Sequence, residues 1–245
     1  GCSGGRGGSM HMYNSKTNFY GGNGIVGAHI PVGVGIALAQ KYKGTKNMTW
    51  VYYGDGAANQ GQLFEAHNMA ALWKLPVALV CENNHYGMGT STSRAHAAPG
   101  FYQQANYIPG LWVDGMDVLA VRRAAQFTSD WVRGGNGPIC LEMETYRYVG
   151  HSMSDPGTSY RSREEVQGVR EKRDPIARLK NQLLNFEIAT EEEMKGWEAS
   201  IKKSIDEAVK AAKAAPFPDE STLGAHILEE HLPVRGVDLK HTYVS

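Results

Sequence analysis

The chain has 245 residues, 42% of them hydrophobic, enough to bury a real core as one large domain or as one domain with an appendage. Lys plus Arg number 25 and so do Asp plus Glu, which argues against a nucleic-acid binder that works through bulk charge. The longest clean apolar run, Leu75 to Cys81, is far shorter than the about 20 residues of a membrane-spanning helix. The three cysteines, Cys2, Cys81 and Cys140, are widely separated and give neither a disulfide scaffold nor a zinc site of the usual spacing.

In chain order, glycine comes first. The 29 glycines, about 12% of the chain against an ordinary ~7%, crowd the opening 35 residues and recur at Gly54, Gly56 and Gly61 and at Gly87 and Gly89. There is no initiator Met, and the start inside a glycine-rich loop reads as an interior piece of a longer protein, so a targeting peptide is not legible either way. Residues 30–42, opened by Pro31, read as a buried helix. Thr49 to Tyr53 is a β-branched and aromatic strand that runs into Gly54-Asp55-Gly56. Gln60 to Lys74 is helical, with Leu63, Ala66, Ala70 and Trp73 on one stripe. Pro76 to Cys81 has the continuous apolar character of a strand buried on both faces, and it ends in Glu82-Asn83-Asn84.

Residues 117–133 make a helix with Val118, Val121, Ala125 and Val132 inward, and Ile139 to Tyr146 a further strand. The alternation predicts an α/β fold, a mainly parallel sheet flanked by helices. Beyond it the pattern becomes helical. Ser162 to Glu165 reads as a capping box, Asp174-Pro175 opens a second helix, and Thr190 to Glu193 caps a third. The stripe of the third is Met194, Trp197, Ile201, Ile205, Ala208 and Ala212. The expected organisation is an α/β domain over 1–165 and a helical extension over 166–245 that serves packing or oligomer contact.

The chemistry is carried by a spacing. Asp55 follows one strand and Asn84 follows the next, 29 residues on. A right-handed βαβ crossover takes about 30 residues and brings both strand ends to one edge of a parallel sheet, where open α/β sheets bind ligands. A carboxylate and an amide oxygen suit a hard divalent cation such as Mg²⁺, which fills its remaining positions with waters and phosphate oxygens. Gly56 lets backbone approach a phosphate, and the first amides of the following helix favour an anion. The pair therefore reads as Mg²⁺ plus a diphosphate. Taken singly, Asp55-Gly56 and Asn83-Asn84 are also ordinary turn dipeptides.

The wider text makes the reading specific. GDGAANQGQLFEAHNMAALWKLP from Gly54, ENNHYGMGTS from Glu82, and the stretches GGSMHMY, NFYGGNGIVGA, IPGLWVDGMD and YRYVGHSMSDPGTSYR resemble the α subunits of pyruvate dehydrogenase E1 components. These belong to the thiamin diphosphate-dependent 2-oxo acid dehydrogenases. The likeness runs from about residue 2 to residue 175 and continues more loosely to the end. It implies a thiamin diphosphate-binding fold with Mg²⁺ held by the side chains of Asp55 and Asn84 and the backbone carbonyl of Tyr86. It places Gly24 and Val26 along the cofactor, Gly56 and Ala57 at its diphosphate, and His151, the candidate catalytic residue, at the diphosphate or the active-site mouth on a mobile loop. Further cofactor contacts and a substrate-side histidine would lie upstream of Gly1. The segment Tyr13–Asn18 is slightly longer than the family pattern and receives no contact.

On the residues alone, His151 with Arg147, Arg161 and Arg163 would equally suit an anion-binding patch. The remaining histidines, His11, His29, His67, His85, His96, His226, His231 and His241, read as packed or solvated. Ser152, Ser159 and Ser91 match serines that mitochondrial members phosphorylate to switch the enzyme off.

The activity implied is oxidative decarboxylation of pyruvate, with the cofactor as electron sink and the acetyl unit passed to lipoyl groups on E2. The partners implied are an E1 β subunit in an α2β2 heterotetramer, E2 lipoyl domains, and a regulatory kinase and phosphatase, in the mitochondrial matrix, without nucleic acid or membrane. The alternatives are a branched-chain 2-oxo acid E1 α subunit, an acetoin-type or bacterial relative, a non-catalytic nucleotide-binding module, and an inactive scaffold. Gly54-Asp-Gly-Ala-Ala-Asn59 lacks the third glycine that the nucleotide module needs.

Overall fold

Strand periodicity divides the core in two. In the computed structural model, which describes residues 2–98 and 100–222, the elements in chain order are α1 (His29–Tyr42), β1 (Thr49–Gly54), α2 (Gly61–Leu72), β2 (Val77–Asn83), β3 (Tyr86–Gly87), β4 (Thr90–Ser91), α3 (Thr92–Ala95), β5 (Gly110–Asp114), α4 (Val118–Arg133), β6 (Ile139–Glu144), α5 (Arg163–Arg173), α6 (Pro175–Asn185) and α7 (Glu191–Ala214). One sheet has the order β1-β2-β6-β5 with every pair parallel, and β3 with β4 forms a small antiparallel ribbon. The α/β architecture with a parallel sheet and flanking helices is the one the strand–helix alternation predicts.

Along β2, Val77, Leu79 and Cys81 face α1 and α2, joining Ile30, Val34, Val51, Leu63, Ala66 and Ala70 in one buried cluster. Ala78 and Val80 point the other way, to a cluster with Val113, Val132, Ile139 and Leu141 beside α4. Complete burial of a side chain such as Leu79 or Leu141 contributes about 1.5–3 kcal/mol. Gly33 of α1 permits the closest helix–sheet approach: a Cβ there would lie 2.3 Å from Cγ2 of Val51.

Helix starts follow their caps. Asp117 accepts from the amides of Leu119 and Ala120 to open α4, Ser162 Oγ accepts from Glu165 N to open α5, and Asp174 accepts from Ile176 and Ala177 to open α6. The 162–165 box is one-sided, because the Glu165 carboxylate accepts from the hydroxyls of Tyr86 and Tyr146.

Several expectations on facing are corrected. Trp73 terminates α2 and is half-exposed, because the helix ends at Leu72. Val118 sits in the first turn of α4 and is exposed, while Val121, Ala124 and Trp131 pack on the sheet. The strand at β5, which the sequence pattern did not isolate, completes the sheet edge beside β6.

The described residues form two compact units, one within Asn23–Thr190 and a second made of residues 2–22 with 191–222. The first holds the sheet together with α5 and α6. In the second, the bridge between Asn14 and Phe19 closes a tight turn, and Arg6 donates to the carbonyl of Thr222 at 2.9 Å. Of the stripe expected on α7, Met194 is buried, whereas Trp197, Ile201 and Ile205 are more than half exposed. His226, His231, His241 and the end of the expected extension lie outside the described residues. Among the described residues no helix is long and apolar enough to cross a membrane.

Cys81 and Cys140 are free, buried thiols, and burial pushes both up, Cys140 to about 12. His67 lies against Cys140, its Nε2 3.8 Å from Sγ, and its Nδ1 has no hydrogen-bond partner. Burial pushes this imidazole down to about 4. An unfolded histidine takes its proton near 6.5, so the unfolded state binds more protons than the native one between those values, and stability declines as pH drops through that window. The loss amounts to about 3 kcal/mol once pH passes below about 4. Thermal melts of wild-type and His67→Leu protein at pH 7, 5.5 and 4 check this: the variant gains on the wild type as pH falls, and a constant gap would exclude His67 as the acid-sensitive group.

Candidate functional site

Because β1 and β2 are neighbours and parallel, with Gly54 opposite Glu82, Asp55 comes level with Asn83, and Asn84 follows at once. The two strand ends thus meet at the carboxyl edge of the sheet, as the βαβ spacing requires. The chain then turns back through residues 84–91, and His85 and Met88 both adopt left-handed backbone, at φ 71° and 54°. That conformation costs non-glycine residues of order 1 kcal/mol each or more. The turn brings Gly87 onto Gly56: a Cβ on Gly87 would lie 3.2 Å from the Gly56 Cα and 3.7 Å from Oδ2 of Asp55. A side chain at 87 would require a shift of a few tenths of an ångström, whereas a Cβ on Gly56 would lie 3.5 Å from the Gly87 Cα, an ordinary contact.

Asp55 is buried, with 4% of its surface exposed. Burial raises its carboxyl above the ordinary aspartate range, opposed by backbone hydrogen bonds and by the positive field of Arg147. The Arg147 guanidinium faces the same group of oxygens. Its Nη1 donates to the Tyr86 carbonyl at 2.7 Å and to Asn84 Oδ1 at 3.4 Å. The structure therefore brings Asp55, Asn84 and the Tyr86 carbonyl together around a positive charge. One carboxylate, one amide oxygen and one peptide carbonyl are hard oxygen donors of the kind a divalent metal takes, so the residues fit such an ion by their chemistry. Among the described residues no cluster of three or more His, Cys, Asp or Glu forms an alternative metal centre.

Gly56 leads a short 3-10 turn over Ala57–Asn59, in which Ala57 is buried, and α2 starts two residues later. Gly24 and Val26 lie in an exposed loop ahead of α1, and the Val26 carbonyl accepts from Gln62 Nε2 at 3.1 Å in the first turn of α2. Both pairs thus flank the N-terminus of α2, where free amides favour an anion.

His151 lies elsewhere, on the loop over 147–162, and is exposed. That loop is organised around Asp155, which accepts from His151 N at 2.8 Å, Gly157 N at 2.8 Å and the Tyr160 hydroxyl at 2.6 Å. The Tyr160 hydroxyl and these amides hold the Asp155 carboxyl down, at about 2. Ser152 and Ser159 are exposed on this loop, and Ser152 Oγ meets Ser154 Oγ at 3.1 Å. Ser91 stands at the end of β4, its Oγ 3.0 Å from Ser93 Oγ.

The open anion patch does not form as the arginine spacing suggested. Arg161 is 7% exposed and turned inward, donating to the carbonyls of Arg147 and Val149 beneath the rings of Tyr86, Tyr146 and Tyr160, 5.4–5.8 Å away. Burial and the Glu165 carboxylate push the Tyr146 phenol up to about 12.

Sequence reasoning missed the supports. Asn83 donates to buried Glu142 at 2.8 Å while its oxygen accepts from His85 N. His85 pairs with Glu144, which also holds Arg173. Asn83, His85, Glu142 and Glu144 line one side of a cavity of about 570 Å³ that also reaches His96 and Phe101. The one advance signal was the polar run Glu82-Asn83-Asn84-His85 at a strand end.

With this geometry in view, the comparisons with known proteins are direct. The sequence model described as Dehydrogenase E1 component matches residues 1–221. The mitochondrial pyruvate dehydrogenase E1 component subunit alpha of Dictyostelium discoideum is 55% identical over 99% of this chain and 64% of its own length. The human testis-specific form of the mitochondrial subunit alpha is 58% identical over 97% of this chain and 61% of its own. The mitochondrial subunit alpha of Pisum sativum is 54% identical over 100% of this chain and 62% of its own. The chain spans a little over three-fifths of the length of these relatives. It belongs to the dehydrogenase E1 component family.

Proposed function

We propose that the chain acts as the α subunit of a pyruvate dehydrogenase E1 component, in thiamin diphosphate- and Mg²⁺-dependent oxidative decarboxylation of pyruvate. The acetyl unit passes to lipoyl groups of E2, and acetyl-CoA leaves the assembled complex. The observation that carries the reading is the convergence of Asp55, Asn84 and the Tyr86 carbonyl at adjoining ends of two parallel strands, beside the glycine contact of 56 with 87. The names of the relatives supply the substrate and the mitochondrial placement.

In this reading Asp55, Asn84 and the Tyr86 carbonyl hold Mg²⁺. The backbone at Gly56 and Ala57 takes the diphosphate, Gly24 and Val26 line the cofactor, and His151 serves at the mouth of the site. Thiamin diphosphate, when bound, supplies the electron sink for loss of CO₂ from the 2-oxo acid. The contribution of this chain is binding and orientation. Burial of Asp55 and the closed backbone around it strengthen the hold on a cation by keeping water away. The glutamate that activates the aminopyrimidine belongs to the β subunit of an α2β2 assembly.

The same reading makes the 147–162 loop a control element for a kinase and a phosphatase acting at Ser152, Ser159 and Ser91. Asp155 is ionised at neutral pH and sits one turn from Ser152, whose carbonyl accepts its amide. A phosphate on Ser152 adds about −1.5 to −2 charge beside that carboxylate and would loosen the loop by repulsion.

Calorimetry on the protein co-expressed with a β partner tests the first claim. Thiamin diphosphate binds only with Mg²⁺, and Asp55→Ala abolishes the isotherm; cofactor binding that persists unchanged in Asp55→Ala refutes the site. Turnover tests the second: Ser152→Glu lowers it by about tenfold or more, equivalent to about 1.4 kcal/mol, and wild-type turnover with wild-type substrate affinity excludes the charge mechanism.

A further inference from the structure

Arg147 offers five N–H donors, and each is used. Nε donates to Val149 O at 3.1 Å, Nη1 to Tyr86 O and Asn84 Oδ1, and Nη2 to Met88 O at 3.2 Å and to the Tyr160 hydroxyl at 3.1 Å. All five acceptors are neutral, and among the described residues no carboxylate forms an ion pair with it. Three of the acceptors lie on the 84–88 turn, and that turn contains the left-handed residues His85 and Met88. Such backbone persists only where its surroundings over-determine it. Two carbonyls of the strained segment, those of Tyr86 and Met88, are held by the two arms of one planar fork. A lysine presents its donors from a single point and cannot reproduce that geometry.

We infer that Arg147 is a positioning residue for the metal: its guanidinium fixes the strained 84–88 turn so that the Tyr86 carbonyl and the Asn84 amide oxygen stand together beside Asp55. This rests on the Mg²⁺ reading proposed above. A carbonyl oxygen carries two lone pairs, so Tyr86 accepts from Arg147 with one and keeps the other for a cation. Nη2, which holds Met88, also donates to the Tyr160 hydroxyl, which in turn donates to Asp155. Arg147 therefore ties the oxygen set to the core of the 147–162 loop through two hydrogen bonds.

The experiment measures metal affinity directly, with Mn²⁺ as a paramagnetic probe in the presence of thiamin diphosphate, on the protein co-expressed with its β partner. Hydrogen exchange of residues 84–90 is followed without metal. Arg147→Met raises the Mn²⁺ Kd by about tenfold or more, the order expected for outer-shell partners of metal ligands, and speeds exchange across 84–90. Arg147→Lys keeps the charge but not the fork, and its Kd stays raised by about fivefold or more. Tyr160→Phe removes one of the five acceptors and gives a smaller rise. Recovery of wild-type Kd in Arg147→Lys overturns the inference, because charge alone would then suffice. An unchanged Kd in both Arg147 variants, with binding lost in Asp55→Ala, overturns it too while leaving the metal site standing. Unchanged binding in Asp55→Ala refutes the site itself. Should Arg147→Met fail to fold, the Arg147→Lys affinity and exchange data decide.

Discussion

Gly56 and Gly87 meet backbone to backbone, and the geometry of the site follows from that contact. The parallel pairing of β1 and β2 delivers Asp55 and Asn84 to one edge, but parallel pairing alone leaves the two loops free to diverge. A Cβ at position 87 would lie 3.2 Å from the Gly56 Cα, a tight contact that the turn carrying Asp55 would have to relieve by a few tenths of an ångström. The glycine at 87 thus lets the segment carrying Tyr86 lie close on the turn carrying Asp55. The left-handed residues at 85 and 88 are the cost of bending the second loop onto the first, and Arg147 supplies the compensating hydrogen bonds.

The electrostatics show two ways of treating a charge near this edge. Asp155 stands on an exposed loop and is kept ionised by two amides and a hydroxyl, so it works as the organising anion of the 147–162 segment. Asp55 is buried, and burial lifts its carboxyl despite the field of Arg147. Among the described residues Asp55 is in no ion pair, and burial accordingly shifts it toward its neutral form. Arg161 solves the opposite problem: its charge is buried among carbonyls and tyrosine faces, where cation–π attraction replaces part of the lost hydration.

What was legible in the sequence divides along a physical line. The continuous apolar run at 77–81 and the β-branched run at 49–53 identified two adjoining strands, since local periodicity records how many faces a strand buries. The 29-residue interval between Asp55 and Asn84 placed both residues at one edge of the sheet, because a crossover length is a local property of the chain. β5 escaped because five residues with an exposed Trp112 show no clean alternation. The inward facing of Val118 and Trp73 failed for a related reason: both lie at helix ends, where the stripe of the helix has run past the sheet. The α7 stripe identifies a helix and its apolar face, but burial of that face depends on what is packed against it, which no periodicity encodes.

The supports of the site were illegible for a stronger reason. Arg147 is separated from Tyr86 by 61 residues and from Asn84 by 63, and the Glu142 that holds Asn83 is 59 residues away. Each of these links joins the end of β2 to β6 or to the segment just after it, two strands that are neighbours only because the sheet order places β6 beside β2. The oxygens of Asp55, Asn84 and Tyr86 are supplied by consecutive elements and can be read from spacing. The groups that aim them arrive through a non-consecutive strand, so they become visible only once the order of the sheet is known. The same topology explains why the loop at 147–162 is coupled to the oxygen set at all. It begins just after β6 ends, next to the end of β2, and the first basic side chain beyond that strand, Arg147, therefore falls within reach of Tyr86.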